Sequence, residues 1–126
     1  MIKVTAFAYT AYPVTDLDRA RNFYEKLLGL IPATVLVFDG GRGWIEYEMG
    51  DSCLAIANGF GDDWKPASAG PSLVLEVADI KGATAELKAA GVKFKFEPME
   101  FPPCHLAVVE DPDGNYVGLH QKKAGT

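Results

Sequence analysis

The segment Val14-x-Asp16-Leu17, running on to Gly29, recurs as Val77-x-Asp79-Ile80, running on to Gly91, at an offset of 62 or 63 residues. A repeat of that length constrains the fold more tightly than composition does, because each copy must be one supersecondary unit. Residues 5–13 are rich in β-branched and aromatic side chains and read as a strand. Asp16 then caps a helix whose apolar positions Leu17, Ala20, Phe23, Tyr24, Leu27 and Leu28 keep close to the 3.6-residue period, and Gly29 ends it. Strands follow over 33–38, 44–49 and 53–57, separated by the turns DGGRG and GDS. The order is β-α-β-β-β.

Residues 58–71, NGFGDDWKPASAGP, carry no periodicity and read as a connector. The pattern then restarts with a strand over 72–77. Asp79 caps a helix with Ile80, Ala83, Leu87 and Ala90 on one face, and Gly91 closes it. Strands over 92–97, 104–109 and 116–120 complete the second copy. The expected fold is α+β. Two tandem βαβββ modules, 1–57 and 72–126, build a partly closed, eight-stranded curved sheet around a shared cleft, all within one domain spanning 1–126.

Charge narrows the partners. A formal charge of −5 disfavours nucleic acid or an anionic membrane surface. No apolar run approaches the roughly 20 residues needed to cross a bilayer. The opening residues MIKVTAFAYTAYP lack a basic-then-apolar signal pattern, and Cys53 and Cys104 are too far apart for a redox motif. The reading is a cytoplasmic protein.

The run VTDLDRARNFYEKLLGL, together with EDPDGNYVGLHQ near the end, resembles the vicinal oxygen chelate superfamily. That group includes glyoxalase I, extradiol dioxygenases, fosfomycin-resistance enzymes and bleomycin-resistance proteins. The resemblance covers essentially the whole chain and implies paired βαβββ modules, often in a homodimer. It also implies a divalent metal held by His, Gln or Glu on the first and last strands of each module. Carried onto this sequence, the first-strand places are Tyr9 and Ser72 and the second module's last-strand place is Gly118. The first module's last strand, 53–57, has no His, Gln, Asp or Glu. Zinc, nickel or iron(II) needs nitrogen, thiolate or carboxylate donors in number. No metal cofactor is therefore expected, except through a displaced site.

Strand alternation names what faces the cleft. Phe7, Tyr9, Ser72, Val74, Tyr116 and Gly118 share that face and form the expected ligand-binding surface, with Glu76 and His120 beside them. A register placing Val109 opposite Tyr116 also sets His105 opposite His120, and a parallel first strand brings Glu76 to His120. His120, His105 and Glu76 would then form a catalytic or metal-holding cluster, provided the register does not slip by one residue. Trp44, Tyr47, Phe60 and Trp64 could join the aromatic wall depending on register, and Trp64 reads equally as a loop anchor or a lid. Asp111-Pro-Asp-Gly-Asn reads as a structural turn.

The leading expectation is a protein that binds a small organic molecule without the family's metal, as in sequestration or resistance. The alternative is a glyoxalase-like lyase or isomerase, or a dioxygenase-like enzyme, using the displaced His105, His120 and Glu76. A third option is an accessory domain whose cleft serves dimerisation.

Overall fold

A computed structural model describes residues 1, 3, 5–69 and 72–124, so Gly70 and Pro71 at the end of the connector lie outside the described residues. The chain divides into two compact units, Met1–Lys65 and Pro66–Thr126. The first contains β1 (Thr10–Pro13), α1 (Leu17–Arg21), β2 (Pro32–Val37), β3 (Gly43–Met49) and β4 (Ser52–Asn58). The second contains β5 (Leu73–Glu76), α2 (Ile80–Ala89), β6 (Phe94–Glu100), β7 (Cys104–Glu110) and β8 (Tyr116–Lys122). Each unit is built on an open four-stranded sheet, ordered β1-β4-β3-β2 and β5-β8-β7-β6. The first and last strands of each unit pair in parallel, and the other neighbours pair antiparallel.

The repeat holds at the level of single atoms. Val14 N–H donates to the Ala57 carbonyl at 2.9 Å, and Val77 N–H donates to the His120 carbonyl at 2.8 Å. Asp16 and Asp79 cap their helices by accepting from the amides of Arg19 and Gly82, at 3.0 and 3.1 Å. Gly29 and Gly91 leave the two helices at φ of 76° and 81°, which only glycine adopts without strain. These are the capping residues the sequence nominates.

The helices differ. α2 is a regular ten-residue helix that buries Ile80, Thr84 and Leu87. The first helix is α-helical only over Leu17–Arg21 and then widens into a π-helical turn over Asn22–Leu27, with Leu28 N–H donating to the Phe23 carbonyl at 3.0 Å. The adjacent Phe23 and Tyr24 are both buried, their rings edge-to-face at 5.0 Å, and Tyr24 stacks on Tyr47 at 6.2 Å. Ile45, Leu54 and Ile56 complete this core, while Ala107, Val109, Val117 and Leu119 meet α2 in the second unit.

Two strand boundaries and one register depart from expectation. β1 begins at Thr10, so Phe7 and Tyr9 precede it. β6 runs on through Pro98 to Glu100; it is an edge strand, where a missing N–H costs no ladder bond. Register shifts along β6 set Phe96 against Val108 and leave it exposed.

Candidate functional site

The sheet face away from the helix is the place to look, since the other face is consumed by the core. In the second unit α2 marks the covered face: Val117 and Leu119 are buried, and Gln121 accepts from the Ile80 amide at 2.8 Å. Val74, Glu76, Tyr116, Gly118 and His120 alternate with these residues and lie on the opposite face. In the parallel β5–β8 pair Val74 stands beside Gly118 and Glu76 beside His120.

Glu76 and His120 meet. His120 Nδ1 lies 2.5 Å from Glu76 Oε1, and Glu76 Oε2 accepts the Lys122 amide at 2.8 Å. The Lys122 amide first, and His120 second, hold the Glu76 carboxyl below the usual range. An ionised carboxylate only accepts, so His120 must present Nδ1–H to it, which leaves Nε2 as the bare nitrogen of the neutral ring. The two side chains are 28% and 54% exposed, so the pair is open to a ligand.

His105 does not join them. The turn between β7 and β8 takes the five residues 111–115, closed by Asp111 N–H donating to the Asn115 carbonyl at 2.8 Å. The Asp111 carboxylate accepts the amides of Asp113 and Asn115, both at 2.9 Å, and the Asn115 side chain at 2.8 Å. That tight loop pairs Glu110 with Tyr116, one residue on from the expected Val109. The slip sets Leu106 opposite His120 and His105 opposite Gln121, on the helix side. The expected three-residue cluster is therefore corrected to a pair.

Gly118 is buried, and a Cβ added there would sit 3.0–3.4 Å from the Val74 side chain. Val74 thus occupies the space that a larger residue at the family's carboxylate place would need. Ser72 lies exposed just before β5, and Tyr116 is half-buried opposite Glu110. By register, Ala55 is the counterpart of Gly118 in the first unit. Burial, followed by the charges of Glu46 and Glu48, pushes the Cys53 thiol up, so it is neither a ready thiolate ligand nor a nucleophile. Among the described residues, no group of three or more His, Cys, Asp or Glu side chains gathers to hold a metal ion.

The first unit carries a different feature on its helix-free face. The Tyr9 ring meets Trp44 edge-to-face at 5.2 Å, Trp44 meets Phe60 at 6.0 Å, and Phe60 meets Phe38 at 5.9 Å. The Arg42 guanidinium lies 5.8 Å from the ring centres of both Phe38 and Phe60. Tyr9, Phe38 and Phe60 are 40–50% exposed, and Phe7 is 95% exposed. Trp44 is steered by a bond from its indole N–H to Glu46 at 2.8 Å. Of the aromatics left open by the sequence, Tyr47 turns into the core. Trp64 anchors its loop by donating to the Ala57 carbonyl at 2.8 Å. Alternation along β3 could have placed Trp44 with Tyr9; Phe38, expected at the end of the strand 33–38, falls just after β2, and Phe60 lies in the connector, which had no periodic signal. A separate groove of about 380 Å3 lies near the start of α1 and includes Leu17, Val35, Val37 and Arg42.

A paired-βαβββ protein with open sheet faces is the class these observations define. Residues 6–119 match the Glyoxalase/Bleomycin resistance protein/Dioxygenase superfamily, and the chain belongs to that family. No curated protein matches it significantly. Among solved structures it is similar to TnmS3, an antibiotic-binding protein from Streptomyces sp. CB03234, at 24% identity and a TM-score of 0.79, covering 98% of this chain and 100% of that one. A glyoxalase/bleomycin resistance protein from the same organism shares 27% identity at a TM-score of 0.70, covering 90% and 97% of the two chains. A glyoxylase/bleomycin resistance protein/dioxygenase domain from Frankia sp. EAN1pec shares 18% at a TM-score of 0.75, covering 98% and 96%. No helix among the described residues is long and apolar enough to cross a membrane.

Proposed function

We propose that the protein binds a small organic molecule without the family's metal, in the manner of sequestration or resistance. The exposed row Tyr9–Trp44–Phe60–Phe38 carries this reading. Four edge-to-face rings, three of them exposed and Trp44 half-buried among them, form a patch of the kind that marks a binding surface, and ring faces and edges suit a planar ligand. Arg42, over two of the rings, would favour a ligand with electron-rich or anionic substituents. Tyr9, Ala55, Ser72 and Gly118 at the family's metal places offer a phenol and a hydroxyl, which do not fit zinc, nickel or iron(II). The antibiotic-binding neighbour is consistent with the same reading.

A cytoplasmic homodimer belongs to this proposal. Free Cys53 and Cys104 suit a reducing compartment, and the edge strand β2 exposes Val35, Leu36 and Val37. Sedimentation as a monomer would count against the dimer.

The test is a thermal-shift screen of divalent metals and a panel of planar metabolites and antibiotics. A ligand at about 100 times its dissociation constant adds roughly 2.7 kcal/mol, readily seen in the melting temperature. Trp44→Ala is expected to abolish the shift. Stoichiometric zinc, nickel, manganese or iron in the purified protein would overturn the metal-free reading.

A further inference from the structure

Resting on the small-molecule reading, we infer that Glu76 and His120, on the helix-free face of the second unit, recognise an acidic hydroxyl, a phenol or an enol, on an organic molecule bound at that face, with His120 Nε2 accepting its proton. Three observations carry this.

The scaffold does not need the pair. Pro13 and Ala57 hold the matching positions in the first unit, where the same parallel strands form with the same 2.8–2.9 Å bond at the end of the first strand. The polar pair is therefore an addition to the second unit that the shared strand pairing does not require.

The pair is also built in one orientation. Lys122 N–H fixes one Glu76 oxygen and His120 Nδ1 takes the other, so the ring is aimed from behind while Nε2 has no hydrogen-bond partner among the described residues. An imidazole held this way is a proton acceptor with its counter-charge already in place. When the ligand O–H gives its proton to Nε2, the bonding pair stays on the ligand oxygen. The resulting anion faces an imidazolium whose Nδ1–H remains on Glu76, and no further reactant is required. An alkanol holds its proton too tightly to gain from this, whereas a phenol or enol does not.

The surroundings are apolar. Leu106 lies directly across from His120, Val108 follows it on the same face, and Phe96, Met99 and Val74 are exposed on that side of the sheet. The charges on this face beside His120 are Glu76 on β5 and Lys122 on β8, while the facing stretch of β7 supplies Leu106 and Val108. A carbon skeleton with one acidic hydroxyl matches that lining.

The probe pair is 4-nitrophenol and 4-nitroanisole, which differ by one methyl group on the oxygen. The full chain is expected to bind the phenol roughly tenfold or more tightly than the ether. The phenolate absorption band should appear on binding at a pH where the free probe is still protonated. His120→Gln should lower phenol affinity to that of the ether and remove the band, with unchanged circular dichroism. Glu76→Gln, which keeps the side chain's shape, should cut the preference severalfold. Equal binding of both probes, or an unchanged preference in His120→Gln, overturns the inference and leaves the binding reading standing. Failure to bind either probe overturns the inference, and the thermal-shift panel then decides the broader reading separately.

Discussion

Residue for residue, Pro13 and Ala57 in the first unit stand where Glu76 and His120 stand in the second. The two units share strand order, pairing direction, helix caps and helix-ending glycines, so backbone architecture cannot explain why the second holds a hydrogen-bonded carboxylate and imidazole at that place. The cores diverge in a parallel way. The first unit packs Phe23, Tyr24 and Tyr47 under its helix, and the second packs Ile80, Thr84 and Leu87 with Val109, Val117 and Leu119. On the helix-free faces, the first unit sets out a row of touching aromatic rings, and the second sets Leu106, Val108 and Val74 near one imidazole, with Phe96 and Tyr116 on the same face. The lesson is that a duplicated scaffold fixes positions, while side chains at equivalent positions are free to specialise.

The comparison of cores predicts the largest stability effect. Tyr24 is fully buried between Phe23 and Tyr47, so Tyr24→Ala removes both ring contacts and leaves a cavity. The expected loss is about 3–5 kcal/mol in urea unfolding. Leu87→Ala, the corresponding truncation under α2, removes fewer atoms and is expected to cost about 2–3 kcal/mol. Equal losses would mean that the aromatic core confers no additional stability.

The second prediction concerns a polar link in the first unit. Tyr47 donates to Glu25 at 2.9 Å, and Arg21 donates to the same carboxylate at 2.6 Å. Burial first, then the bond to Glu25, raises the Tyr47 phenol well above its usual range. A group whose folded pKa is raised contributes stability that is full below its unfolded pKa and is lost as pH rises beyond it. Wild type should therefore lose stability above about pH 10, the unfolded tyrosine value, more steeply than Tyr47→Phe. At neutral pH the variant should cost about 1–2 kcal/mol, because a hydrogen bond to a charged acceptor is removed. Parallel alkaline unfolding curves would sink the assignment. For Glu25 itself, burial is the largest influence and acts upward, but the bonds from Arg21 and Tyr47 outweigh it and leave the carboxyl lowered. Its stabilisation is thus present above the unfolded carboxylate range and fades as pH falls through the lowered folded value.

How much of this was legible follows from how local each signal is. Asp16, Asp79, Gly29 and Gly91 act within one turn of chain, so capping chemistry alone identifies both helices and the repeat between them. The contact of Glu76 with His120 was also readable, because alternation and parallel pairing place it without any turn geometry. His105 was misplaced because its face depends on a single residue of register. That register is set by how Asp111 gathers the amides of Asp113 and Asn115. The π-helical widening at Asn22–Leu27 was hidden for the opposite reason: Phe23 and Tyr24 satisfy the ordinary helical period almost as well. Phe60 meets both Trp44 and Phe38 from a turn, and a tertiary contact made by a turn leaves no periodic trace in a sequence.

The smallest predicted difference lies where the units agree most. Asp16 and Asp79 each satisfy one otherwise unpaired helix amide, and replacing either by alanine should cost about 1 kcal/mol. The surroundings are not identical, however. The first turn of α1 also carries Asp18, whereas α2 has no acidic residue in its first turn. A second carboxylate near a helix N-terminus still interacts with the exposed amides and the helix dipole after the cap is removed, by about 0.3–1 kcal/mol. Asp79→Ala should therefore be the costlier change, by a few tenths of a kcal/mol. Asp16→Asn and Asp79→Asn, which retain the capping oxygen, should be nearly neutral. Raising salt should shrink the gap between the two alanine variants, since the Asp18 contribution is screened and the hydrogen bond lost in each is not. A gap that persists unchanged at high salt would assign the difference to the π-helical widening of the first helix and not to charge.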